Sequence, residues 1–86
     1  MAQEMTLSDF GVTILGRSGL RYRQGMKTVS IDGEMLTGAF DFVVYTNSIA
    51  RWDDDRVISD DERKTIVANI EAVFRANGLS ADFETR

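Results

Sequence analysis

Six carboxylates fall within ten residues of this 86-residue chain: Asp53, Asp54, Asp55, Asp60, Asp61 and Glu62. Arg56 is the single base among them, and Trp52, the one tryptophan, directly precedes them. Clustered carboxylates can hold a divalent cation, divide acid and base roles in hydrolysis, or present charge to a basic partner. A calcium loop of the type D-x-[DN]-x-[DN]-G-x5-E is excluded. Counting from Asp53, Asp55 fits the third position, but Val57 stands at the fifth, Ile58 where glycine is needed and Lys64 at the twelfth. An irregular cation site from Asp53, Asp55 and Asp60 is the remaining metal reading, and contiguous solvated acids bind ions weakly. Hydrolysis by paired carboxylates needs one of them desolvated, with a raised pKa. These flank a capping serine, Ser59, and belong in water.

Two absences narrow the chemistry further. The chain has no cysteine and no histidine. Disulfides, thiolate metal sites, cysteine nucleophiles, the Ser-His-Asp arrangement and the usual zinc ligand sets are all unavailable. The glycines of "GRSG", Gly16 to Gly19, match neither G-x-x-x-x-G-K-[ST] nor G-x-G-x-x-G. We therefore expect no catalytic residues, no cofactor and no specific metal, and read the chain as a non-enzyme. The net charge of −4 disfavours nucleic acid, whose phosphates such a surface repels. No apolar run is long enough to span a membrane and no basic-then-apolar start is present, so a soluble cytoplasmic protein is expected.

The helix dipole accounts for part of the cluster. Asp60, Asp61 and Glu62 fall in a first helical turn, where each negative charge contributes roughly 0.3–1 kcal/mol. Asp53, Asp54 and Asp55 precede the helix and gain little from it. Trp52 beside them either caps the open edge of the core or anchors an interface, and the residue types fit both.

The elements that must position these residues read as one α+β domain spanning residues 1–86, strand-rich first and helical second. Val12 to Leu15 is an apolar run ending in the GRSG turn. "LRYR" alternates Leu20 and Tyr22 against Arg21 and Arg23, and Lys27 to Asp32 alternates Val29 and Ile31 against Thr28 and Ser30. The connections are hairpin length, which predicts an antiparallel sheet of four to five strands. "FDFVVY", Phe40 to Tyr45, predicts a strand with Phe40, Phe42 and Val44 on one face and Val43 and Tyr45 on the other. That second face is either partly covered or a patch for another chain. Ser59 with Glu62 forms a capping box before Ile66, Ile70, Val73 and Phe74, which recur at helical spacing. One long helix, about Asp60 to Asn77, should end at Asn77-Gly78 and pack on one face of the sheet. Ala81 and Phe83 alternate in a candidate edge strand.

The order "IDGEML" (Ile31 to Leu36), "FVVYTNSIARW" (Phe42 to Trp52), an acidic loop and "DDERKTIVANIEAVFRANG" (Asp60 to Gly78) resembles the small bacterial family of immunity protein 74. The likeness covers roughly residues 20 to 84. The family pattern often places a proline soon after the tryptophan, where this chain has Asp53-Asp54-Asp55. The resemblance implies a small α+β immunity protein that binds and neutralises a cognate toxin domain of a polymorphic toxin system, with no catalytic residues. An acidic inhibitor gains association rate against a basic enzyme through long-range attraction. The expected partner-binding residues are thus Trp52, Asp53, Asp54 and Asp55, and the alternative partner face is Arg21, Arg23, Val43 and Tyr45. The alternative function is a small structural or regulatory interaction module, such as a homodimer through Val43 and Tyr45.

Overall fold

A computed structural model describes residues 3–16 and 18–85. Strands β1 (Glu4–Leu7), β2 (Phe10–Ile14), β3 (Ser18–Gln24), β4 (Lys27–Met35) and β5 (Phe42–Tyr45) form an antiparallel meander. A short 3-10 turn, Thr46–Ser48, and helix α1 (Asp60–Ala76) follow, and β6 (Ala81–Glu84) closes the sheet parallel to β5.

Among the described residues the sheet therefore has six strands and is mixed, rather than four to five and antiparallel. Two physical reasons account for the difference. In β1, "EMTL", only Met5 is even partly buried, so the strand carries almost no alternating apolar signal. Strand β6 returns to the sheet after α1, and a connection containing a helix lets neighbouring strands run parallel. Strand β4 also runs past Asp32 to Met35. Phe40 does not belong to β5: the strand begins at Phe42, and Phe40 stands in the preceding loop, 42% exposed.

The alternating residues meet the helix as their spacing requires. Ile66, Ile70, Val73 and Phe74 of α1 are buried against Leu20, Tyr22, Val29, Ile31, Phe42 and Val44. Phe74 and Phe42 meet edge to face with ring centroids 6.0 Å apart. Burying a side chain such as Phe74 contributes about 1.5–3 kcal/mol. Gly33 of "IDGEML" faces this core, and a Cβ there would lie 2.4 Å from the Phe42 ring and 2.5 Å from the Val43 carbonyl oxygen. The aromatic ring of β5 thus lies directly on the β4 backbone.

Both helix ends are closed. The Ser59 hydroxyl accepts from the Glu62 amide at 3.1 Å, and Glu62 Oε1 accepts from the Ser59 amide at 2.9 Å, a complete capping box. At the other end Asn77 is the C-cap and Gly78 takes φ +72°. The amides of Leu79 and Gly78 donate to the carbonyls of Phe74 (2.8 Å) and Arg75 (3.1 Å). This is the Schellman pattern, with Leu79 packed on the core as its apolar closing contact.

Candidate functional site

Strand β5 pairs with β4 only across Gly33 to Met35, which leaves the earlier part of β4 with a free edge. The chain after β5 uses that edge. Ser48 Oγ accepts from the Asp32 amide at 2.9 Å, and the Asp53 amide donates to the Thr28 carbonyl at 2.8 Å. Between these anchors and the helix the backbone doubles back in a narrow turn. Arg51 bridges Val57, the Trp52 amide donates to the Arg56 carbonyl (2.9 Å), and the Asp55 amide donates to the Trp52 carbonyl (2.8 Å).

Each of the three aspartates has a place in this turn, which the helix dipole could not supply. The Asp53 carboxylate accepts from the Thr28 hydroxyl at 2.6 Å. Asp54 Oδ1 accepts from the Arg56 amide at 3.1 Å, the local bond by which Asp commonly closes turns, and its Oδ2 pairs with Arg56 Nε at 3.1 Å. Asp55 has φ +76°, a conformation that Asp tolerates better than most residues, and Arg51 donates to its carbonyl oxygen at 3.1 Å. All three side chains remain exposed. Among the described residues no group of three or more acids, Asp53, Asp55 and Asp60 included, is placed to share a metal ion.

Trp52 is a core residue. It is 4% exposed, packs with Tyr22 at 6.4 Å between ring centroids, and has the Lys27 ammonium 5.3 Å from its ring centre. Its indole N–H is buried without an aligned acceptor, although it lies near enough to the Glu62 carboxylate to favour the charged form. The Glu62 pKa is lowered chiefly by the Ser59 backbone N–H, and to a smaller extent by the Ser59 hydroxyl, the indole and Lys27. Beside the indole is a cleft of about 220 Å³ lined by Gln24, Asp61, Glu62 and Thr65. The interface-anchor reading of Trp52 therefore gives way to the core-capping one: its ring supports the turn from beneath.

The residues of the alternative face share the outer side of the sheet but not one patch. Arg21 and Arg23 stand on β3, Val43 and Tyr45 on β5, with β4 between them. Arg23 is engaged by Glu4 at 2.7 Å, which raises the guanidinium pKa, and Glu4 reaches it by lying where a Cβ of Gly11 would be. Val43 is 4% exposed and sits in register between Glu34 and Asp82, while Tyr45 is opposite Glu84. Asp82 raises the Glu84 pKa by a hydrogen bond and by its charge. No ion pair reaches Asp32, Glu34, Asp82 or Glu84 among the described residues. This half of the sheet face is thus an acidic surface around a covered valine.

Sequence reasoning did not identify Thr28, Lys27 or Ser48 as partners of the acidic segment. Their contacts bridge residues far apart in the chain, and no local pattern encodes them.

Among the described residues one helix lies on one side of an open sheet, with exposed carboxylates on a hydrogen-bonded turn beside the helix start, which defines the class: a small single-sheet α+β domain with an acidic end. The chain belongs to the family described as Immunity protein 74, whose model matches residues 11–84. Comparison with curated proteins and with solved structures gave no match. No helix among the described residues is long and apolar enough to cross a membrane.

Proposed function

We propose that this chain is an immunity protein that binds and neutralises one cognate toxin domain in the cytoplasm, acting by occupancy and without catalysing a reaction. The observation that carries this reading is the family match across residues 11–84. The toxin-facing surface is the turn bearing Asp53, Asp54 and Asp55, with Trp52 buried beneath it. Support comes from the way the turn is held. Two bonds to Thr28 and four within the turn hold its backbone and the Asp53 and Asp54 carboxylates before binding, so little conformational entropy is lost on association. Their exposure and sign suit a basic partner, whose encounter they accelerate. The acidic half of the sheet face, around Val43 and Tyr45, is the second candidate surface, because its four carboxylates lack ion pairs among the described residues.

The test is co-expression with the toxin domain encoded beside this chain's gene, followed by association kinetics of the purified pair. Rescue of growth and formation of a stable complex are expected. Continued toxicity with no complex would overturn the proposal.

A further inference from the structure

The end of the molecule remote from the acidic turn has the opposite character. Met35, Leu36 and Phe40 are 55%, 39% and 42% exposed, and the segment from Met35 to Phe40 carries no charge. Connecting loops are ordinarily polar, so three large apolar side chains at one loop require a reason. The loop is also tied down. The Leu36 amide donates to the Asp41 carbonyl at 3.0 Å, and Asp41 and Ser80 are clamped together, with the Asp41 amide donating to the Ser80 carbonyl (3.0 Å) and the Ser80 amide donating to Asp41 Oδ2 (2.9 Å). Immediately beside Phe40 is a groove of about 360 Å³ whose apolar walls are Phe40 itself, Phe74, Leu79 and Ala81, and whose polar margin is Ser80 with the Arg75–Glu71 ion pair. The space takes a side chain, not a lone water, whose share of liquid volume is about 30 Å³.

We propose that this end pairs with a second copy of the chain, Phe40 of each copy entering the groove beside Phe40 of the other about a two-fold axis. A projecting ring that walls its own groove is the self-complementary arrangement that two-fold pairing requires. The charge distribution favours the same occupant. Asp53 is bonded to Thr28 at the start of β4, and Met35 ends that strand seven residues later, roughly 23 Å away at about 3.3 Å per residue. Copies meeting at the apolar ends hold their acidic turns apart by several Debye lengths, each about 8 Å at physiological ionic strength. Pairing through the outer sheet face would instead bring Asp32, Glu34, Asp82 and Glu84 of the two copies together. Few side chains take part, fewer than in a standard interface of about 800 Å² per partner, so the dimer is weak and reversible.

Sedimentation equilibrium of the full chain, without toxin, tests this over roughly a hundredfold range of concentration, because mass action sets the dimer fraction. A monomer–dimer equilibrium is expected. Phe40→Ser and Leu36→Lys should each weaken it by at least about tenfold, the loss typical of an anchoring side chain, while Val57→Ser, which alters the exposed valine beside the acidic turn, should leave it unchanged. Melts confirm that each variant is folded. A chain that stays monomeric throughout, or folded loop variants that dimerise as well as the parent, overturn the proposal. So does a monomeric parent whose loop variants lose toxin binding, since the patch then belongs to the toxin.

Discussion

The Asp53 carboxylate accepts the Thr28 hydroxyl at 2.6 Å while the Asp53 amide donates to the Thr28 carbonyl at 2.8 Å, so a single residue of the acidic turn is stapled at two points to the free edge of β4. The backbone bond survives substitution of either side chain; the side-chain bond does not. Thr28→Val and Asp53→Ala should show a coupling of about 0.5–1.5 kcal/mol in a double-mutant cycle, the usual net value of one hydrogen bond. Additive effects in urea melts would mean that the side-chain bond contributes nothing to stability.

Charge and packing in this region should separate in binding experiments. Replacing Asp54 and Asp55 by asparagine leaves the Thr28 staple intact. Association with the toxin domain should then slow by roughly tenfold at low salt and lose much of its salt dependence, with little change in dissociation. Adding Asp53→Asn should extend the effect. Surface-based kinetics at several salt concentrations measure both rates, and an unchanged association rate would move attention to the acidic sheet face.

Trp52→Ala acts through the core instead. Its 4% exposure predicts a loss of about 3–5 kcal/mol of stability, from lost burial plus the cavity left behind. Chemical denaturation should register it, whereas a loss under about 1 kcal/mol would contradict the packing described.

The helix start makes stability depend on acid. Glu62 has a folded-state pKa below its ordinary value, so its contribution is fully present above the ordinary carboxylate range and is lost as pH falls through the lowered folded value. Ser59→Ala should cost about 0.5–2 kcal/mol at neutral pH and flatten this acid limb, because it removes one of the groups that lower the pKa. Glu84 has the opposite sign. Its raised pKa means that the native state loses stability as pH rises from the ordinary value through the raised one, and Glu84→Gln should abolish that loss. Melting temperatures taken across the acidic range, for the parent and both variants, separate the two contributions.

Gly33→Ala tests the closest backbone approach in the core. The new methyl would sit 2.4 Å from the Phe42 ring and 2.5 Å from the Val43 carbonyl oxygen, and one of those contacts is backbone, which cannot swing aside. Overpacking of this kind costs about 1–3 kcal/mol, and a melt indistinguishable from the parent would show that β5 shifts freely.

Much of the architecture is legible in the sequence, and the legible parts share a property. The capping box at Ser59 and Glu62, the stripe Ile66, Ile70, Val73 and Phe74, the Asn77-Gly78 close, and the inward placement of Leu20, Tyr22, Val29 and Ile31 all depend on residues a few positions apart. Helix and strand periods are written at that range. An exposed edge strand such as β1 needs no apolar alternation, and an aromatic run looks the same whether its first ring, here Phe40, is buried or displayed. The parallel pairing of β6 lay outside the local pattern as well, since it depends on where the chain returns after α1.

The acidic stretch divides along the same line. From residue types alone, the chain excludes cysteine and histidine chemistry and a calcium loop, places Asp60, Asp61 and Glu62 at a helix start, and carries the likeness to its family. These follow from composition and from spacing within one or two turns. Only the tertiary structure decided that Trp52 lies in the core, that Asp53 is bound to Thr28, that Asp54 and Asp55 shape a tight turn, and that Met35, Leu36 and Phe40 are each exposed. The reason is physical: burial and long-range hydrogen bonds are properties of what surrounds a residue, and its surroundings come from β4, α1 and a free sheet edge that exist only once the chain has folded.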